Sequence, residues 1–271
     1  MTAIAVTIAG SDSSGGAGIQ ADLKTFAALG VYGASVITAL TAQNTQGVSG
    51  IHDVPASFVT AQMDAVFPDL DVRAVKIGML SQVPTIEAVA QGLGRHHAQN
   101  VVLDPVMVAT SGDRLLVADA VEALRALLIP RALVVTPNLP EAAALTGATA
   151  ARNEREMEIQ ARELLALGAR NILIKGGHGS GDESIDLLIG QGEVVRLSAK
   201  RIATSNTHGS GCTLSSAIAA GLAKGLDLKA AARDAKAYVT EAIAGADDLK
   251  IGRGNGPLDH FHARREKRRK P

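Results

Sequence analysis

Short apolar runs alternate along this chain with longer stretches of helical periodicity. Residues 3–9 (AIAVTIA) read as a buried strand, 10–18 as a Ser/Gly loop, and 19–29 as a helix that stops at Gly30. The pattern predicts further strands over 34–40, 74–77, 101–103, 133–136 and 171–175, and helices over 55–67, 84–97, 119–128 and 153–167. The order then changes. Residues 184–189 and 193–197 have the pattern of an antiparallel pair joined by Gly190-Gln191-Gly192. Two helices follow, over 213–224 and 227–244.

Short buried strands separated by helices indicate an α/β fold, with a central, mostly parallel sheet flanked by helices on both faces. Ligands of such sheets lie beyond the carboxyl ends of the strands. Polar or glycine-bearing segments fall at those ends: Gly10-Ser11-Asp12, Asn44-Thr45, Gly78-Met79, Asp104-Pro105, Thr136-Pro137-Asn138 and Gly176-Gly177-His178. No linker or internal repeat divides the chain. A single domain over 1–262 is expected, followed by a basic, disordered tail over 263–271.

Composition narrows the function classes. With 46% hydrophobic and 20% charged residues, the 271-residue chain can bury a full core. The net charge of zero hides an asymmetry: residues 264–270 hold six basic groups and one acidic, and the rest of the chain holds 21 basic and 26 acidic. Such a block reads as a solubilising tail. A single cysteine precludes an internal disulfide and fits a reducing cytoplasm. No apolar run approaches the ~20 residues of a membrane span. The first residues lack the basic stretch of a secretory leader. At 2% aromatics and no Trp, stacking platforms for single-stranded nucleic acid are not expected. Neither a membrane nor a nucleic acid is an expected partner.

The glycine motifs differ in meaning. Gly16-Ala17-Gly18-Ile19-Gln20-Ala21 matches the dinucleotide fingerprint. However, the region where an acidic ribose ligand belongs reads Val36 to Gln43 without a carboxylate, which disfavours a nicotinamide cofactor. No P-loop signature occurs. Gly179-Ser180-Gly181-Asp182 runs into strand-like sequence, so no helix dipole points at it, and it reads as a mobile loop. The turn Asn206-Thr207-His208-Gly209-Ser210-Gly211-Cys212-Thr213 instead opens an Ala-rich helix. Its amides and helix start make an anion site suited to a phosphate. A thiol there is expected to have a lowered pKa and to take a proton from an attacking hydroxyl. The combination suggests phosphoryl transfer from a nucleotide to an alcohol.

Motifs along nearly the whole chain carry a closer resemblance. They are Thr7 through Thr25, Ile37 through Thr45, Lys76-Ile77-Gly78-Met79-Leu80, Val102-Leu103-Asp104-Pro105-Val106-Met107, Thr136-Pro137-Asn138-Leu139-Pro140-Glu141-Ala142, Lys175-Gly176-Gly177-His178, the Cys212 turn, and Gly256 through His262. In this order they resemble the hydroxymethylpyrimidine/phosphomethylpyrimidine kinases of thiamine biosynthesis, a branch of the ribokinase-like superfamily. The resemblance implies a homodimeric, ATP- and Mg²⁺-using phosphotransferase. It would phosphorylate 4-amino-5-hydroxymethyl-2-methylpyrimidine, then its monophosphate.

The same resemblance implies roles. Cys212 would be the base, with the amides of Gly209, Gly211 and Cys212 receiving the transferring phosphoryl charge. Lys175 would meet the nucleotide phosphates, with Asn138, Thr207, Gly209, Ser210 and Gly211 around the nucleotide. Glu141 would hold Mg²⁺, with Asp104 as a further acid. Asp22 and Gln43 resemble the pyrimidine contacts, and Gly10, Met79 and Val106 would line the ring pocket. Lys76 could meet the substrate phosphate in the second step. His208 reads as a hydrogen-bonding turn residue, and His260 and His262 as a weak metal pattern. A pyridoxal/pyridoxine kinase of the short, cysteine-containing type is the nearest alternative, and a non-catalytic binding protein on the same fold is another.

Overall fold

The computed structural model describes residues 1–108, 118–177, 181–190 and 192–265. Ten strands are present among them: β1 (Ile4–Ala9), β2 (Tyr32–Ile37), β3 (Ala39–Asn44), β4 (Gly47–Asp53), β5 (Ala74–Ile77), β6 (Val101–Leu103), β7 (Val134–Val135), β8 (Ile172–Lys175), β9 (Glu183–Ile189) and β10 (Val194–Lys200). Eight α-helices accompany them: α1 (Gly18–Ala28), α2 (Ala56–Val66), α3 (Val83–Arg95), α4 (Ala118–Leu127), α5 (Leu139–Thr146), α6 (Glu154–Ala166), α7 (Ser210–Ala223) and α8 (Leu228–Ala244).

The main sheet has eight strands in the order β10-β9-β8-β7-β6-β5-β1-β2. The six from β8 to β2 are parallel, and β9 and β10 extend one edge antiparallel. Alternate residues of each strand feed two cores. On one face Val6, Ile8, Val75, Ile77 and Leu103 pack with α2, α3, α4, α5 and α6. On the other, the smaller Ala5 and Ala74 with Val102, Val134 and Leu173 receive α1, α7 and α8. Small strand residues let the Ala-rich α7 lie close, and its residues from Thr213 to Ala223 are all buried. Crossovers through helices point every parallel strand the same way, so their carboxyl ends share one edge.

Two local expectations are corrected and one helix is added. Residues 34–40 are not one strand: the chain turns between β2 and β3, and β3 pairs with β4 as a separate antiparallel hairpin with a bulge at Ala42/Gln43. Residues 139–146 form α5, which Asn138 and Glu141 start with a reciprocal capping box. Helix α7 begins at Ser210, three residues before the expected 213. The basic tail is expected from 263, but Arg265 Nε lies 2.7 Å from Asp259 Oδ2 and Arg264 donates to the Ala27 carbonyl at 3.4 Å. Residues 266–271 lie outside the described residues, as do His178, the Gly179-Ser180 part of the expected mobile loop, and Gln191 of the β9–β10 turn. Among the described residues no helix is long and apolar enough to cross a membrane.

Candidate active site

The ends of β1, β5, β6 and β8, the start of α5 and the first turn of α7 enclose a cleft of about 590 Å³. Gly209 forms the turn into α7 with a left-handed φ of 81°. A Cβ there would stand 1.9 Å from the Gly16 carbonyl oxygen, so only glycine lets the two loops meet. No side chain caps α7. The orphan amides of its first turn therefore lie against the cleft that Gly209, Ser210, Gly211 and Cys212 line.

Lys175, at the end of β8, is the cation facing this turn. Its Nζ is 2.9 Å from Asp104 Oδ1 and 3.9 Å from Glu141 Oε2. Asp104 also accepts from Ser215 Oγ (3.2 Å) and Thr136 Oγ1 (3.3 Å). Burial opposes the charge of Asp104, but Lys175 and Lys76 hold its carboxyl below the usual range. Glu141 goes the other way. Burial, and to a lesser degree the Asp104 charge, push it up to about 7 against the pull of Lys175. Among the described residues no group of three or more His, Cys, Asp or Glu is set to ligate a metal. Mg²⁺, however, binds through one or two carboxylates plus phosphate oxygens and water. The Glu141 and Asp104 carboxylates, both within 4 Å of Lys175, offer oxygen donors of the kind that cation takes.

Cys212 overturns one expectation. It is half-buried, yet burial pushes its thiol up to about 11 rather than down. Lys76 and the Gly18 amide oppose the rise. Burial, the largest cause, thus sets the direction of the shift, and the Asp22 and Asp104 charges add to it.

Asp22 is a second correction. It lines no part of the cleft. It is fully buried behind Lys76, whose Nζ donates to its Oδ2 at 2.8 Å. Thr7 Oγ1 and Ser216 Oγ donate to the same carboxylate, each at 2.6 Å. Lys76 is likewise fully buried; burial opposes its charge, but Asp22, Cys212 and Asp104 together hold its ammonium above the usual lysine range. The expected pyrimidine contact is instead the anchor of a buried cation that borders the cleft.

The other expected ring contacts do converge: Gly10, Gln43, Met79 and Val106 line the cleft, as do Asn138 and Thr207. Three residues at the site had drawn no role. Asp12 is buried and accepts from Ser14 N (2.8 Å), Ser14 Oγ (2.7 Å), Gly16 N (3.0 Å), Ala17 N (2.8 Å) and His208 Nε2 (2.8 Å). It thereby occupies the amides that a dinucleotide pyrophosphate would use, which is the physical reason the glycine fingerprint here is not a nicotinamide site. Lys236 of α8 reaches Asp186 Oδ2 at 2.8 Å on the cleft wall, and Asp186 Oδ1 holds the Gly176 amide at 3.0 Å. Sequence periodicity placed both inside elements, where such a lysine reads as an ordinary solvated helix residue. His260 and His262 do not form a metal pair. His260 is pushed down to about 4 by burial and lies 3.1 Å from Thr213 Oγ1, and His262 pairs with Glu241 at 3.0 Å.

The profile of the family described as phosphomethylpyrimidine kinase matches residues 12–259. The chain belongs to that family. It is 63% identical over 262 residues to a hydroxymethylpyrimidine/phosphomethylpyrimidine kinase of Rhizobium meliloti, covering 97% of this chain and 98% of that one. A phosphomethylpyrimidine kinase structure from Clostridium difficile superposes with a TM-score of 0.79 at 45% identity, over 89% of this chain and 99% of that one. An ADP complex of Bacillus subtilis pyridoxal kinase superposes with a TM-score of 0.91 at 37% identity, over 98% and 100%. The fold is thus ribokinase-like, and the enzyme class of the family is phosphotransferase.

Proposed function

We propose that this chain is an ATP-dependent kinase of thiamine diphosphate biosynthesis. It phosphorylates 4-amino-5-hydroxymethyl-2-methylpyrimidine and then converts the monophosphate to the pyrophosphate. One observation carries the reading: a single cleft is lined by an uncapped helix mouth, Lys175 and Cys212 together with Gln43, Met79 and Val106.

Phosphoryl transfer needs positioning and charge stabilisation more than covalent chemistry from the protein. In this reading Lys175 and the Gly209, Ser210 and Gly211 amides hold the nucleotide phosphates, with Asn138 and Thr207 beside them. Glu141 and Asp104 would hold Mg²⁺, which supplies charge neutralisation when bound. Gln43 binds the aminopyrimidine edge, and Gly10, Met79 and Val106 pack the ring. With so high a thiol pKa, Cys212 is protonated in the empty site. It orients the acceptor hydroxyl as a thiol and takes its proton through the minor thiolate that Lys76 keeps accessible. The reading extends to a cytoplasmic homodimer, supported by apolar side chains exposed on β2, the β3–β4 hairpin and α2, namely Tyr32, Leu40, Ile51 and Phe58.

A pyridoxal-type kinase is the second reading, favoured by the superposition on the pyridoxal kinase ADP complex. Phosphorus NMR of purified protein with MgATP and each alcohol separates the two. Successive mono- and diphosphate signals from the pyrimidine are expected, and turnover confined to pyridoxal would reverse the assignment.

A further inference from the structure

After α8 the chain runs through Gly252-Arg253-Gly254-Asn255-Gly256-Pro257 and touches two elements that border the cleft. The first is Thr45, in the two-residue turn that joins β3 to β4. The Arg253 and Gly254 amides donate to Thr45 Oγ1, each at 3.1 Å, and the Asn255 amide donates to the Thr45 carbonyl at 2.9 Å. The second is the turn before α7. The Gly256 amide donates to Asn206 Oδ1 at 3.0 Å, and the Gly256 carbonyl accepts from the His208 amide at 3.1 Å. Asn206 is anchored from its other end, where Nδ2 donates to Asp247 Oδ1 at 2.7 Å. Such close approach demands glycine: a Cβ on Gly254 would collide with the Thr45 carbonyl oxygen, and one on Gly256 with Asn206 Oδ1. Four consecutive amides, 253 to 256, thus tie the hairpin tip and the phosphate-type turn to one short length of chain. Gln43, two residues before Thr45, lines the cleft, as does Thr207, between Asn206 and His208.

We propose that residues 253–257 are a strap that couples the acceptor side of the cleft to its phosphate side, with Thr45 and Asn206 as the positioning residues at its two ends. This rests on the kinase reading, in which the acceptor ring lies by Gln43 and the nucleotide phosphates lie at the α7 turn. The β3–β4 hairpin shares no ladder with the main sheet, so the sheet does not fix where its tip stands. The loop after β1 holds the body of β3, where the Gln43 amide donates to Ser13 Oγ at 2.9 Å. Beyond Gln43 the strap takes over. Arg253 and Gly254 are exposed, so water reaches both amides when Thr45 Oγ1 is removed, and little folding stability depends on the two bonds. What they set is position, on which in-line phosphoryl transfer depends steeply. A tie at both ends also makes the coupling reciprocal. A nucleotide that steadies the α7 turn steadies the hairpin, and an acceptor that steadies the hairpin tightens the nucleotide by the same factor.

The first test is hydrogen–deuterium exchange read by mass spectrometry, with MgADP as the only ligand. In wild type MgADP should slow exchange of the hairpin tip, residues 44–50, by about threefold or more. Thr45→Val, which keeps the side-chain shape and removes the acceptor oxygen, should abolish that response while binding MgADP within about twofold of wild type. Thr45→Ser, which keeps the oxygen, should restore it. A wild-type tip indifferent to MgADP, or one equally slowed in Thr45→Val, would overturn the strap and leave any coupling to the loop after β1. The second test is calorimetry of MgADP with and without the pyrimidine alcohol. The alcohol should tighten MgADP roughly fivefold in wild type and by less than about twofold in Thr45→Val. Equal tightening in both would overturn the proposal. If Thr45→Val does not fold, exchange in wild type alone decides. Absence of pyrimidine binding by wild type would sink the acceptor reading and leave the exchange test to decide the strap.

Discussion

Replacing Asp22 by Asn tests the most consequential reassignment in the site. The carboxylate is fully buried and receives three donors, from Thr7, Lys76 and Ser216. An Asn side chain of the same shape must turn its NH₂ toward at least one of them. It also leaves the Lys76 ammonium, itself fully buried, without an anion. Breaking a buried pair from one side costs about 3–5 kcal/mol. For a chain of this size that is a loss of roughly 6–20 °C in melting temperature. Thermal and urea unfolding of Asp22→Asn beside wild type measures it. Asp22→Leu combined with Lys76→Met, which removes both charges, should recover most of the loss. A variant with unchanged melting temperature and only a raised KM for the pyrimidine would place the carboxylate in the cleft and refute the reasoning.

Four further outcomes follow from the same geometry. With its thiol at about 11, Cys212 in the ligand-free protein should alkylate with iodoacetamide at a rate that keeps climbing above pH 9; a plateau below pH 8 would contradict the burial argument. Cys212→Ala should slow transfer to the neutral alcohol more than transfer to the monophosphate, already ionised near neutrality, with equal losses in single-turnover assays leaving the sulfur a purely orienting part. Glu141 binds its proton more tightly folded than unfolded, so its contribution is fully present below about 4.5 and lost as pH rises through about 7. Glu141→Gln in nucleotide-free protein should flatten that fall and gain on the order of 1–3 kcal/mol at pH 8, read by urea unfolding across pH. Lys175→Met should lower kcat by about 10²–10³, and an unchanged kcat would remove the lysine from the phosphate site.

Much of the scaffold was legible because it is local. Strands at 74–77 and 101–103 and the helices around them show their periods within a few residues. The phosphate-type turn announces itself through Gly209 and Gly211 before an Ala-rich helix. What escaped was tertiary. Asp22 meets Lys76 across 54 residues and Ser216 across 194, and no local pattern encodes either contact. Residues 34–40 read as one apolar run because no glycine or proline marks the turn between β2 and β3. The expected low thiol pKa fails because the helix start is visible in sequence, whereas the burial of the sulfur, and secondarily the nearby Asp22 and Asp104, are not. Asn-x-x-Glu at Asn138 and Glu141 is compatible both with a helix cap and with a cation site. The structure shows the capping contacts and leaves the same carboxylate beside Lys175.

The most direct test of the account is a structure of the ternary complex with the pyrimidine alcohol and a non-hydrolysable ATP analogue. The account expects the terminal phosphate against the first turn of α7 and Lys175, with the acceptor oxygen between it and the Cys212 sulfur. A triphosphate lying elsewhere along the strand ends, or a sulfur turned from the acceptor, would contradict it.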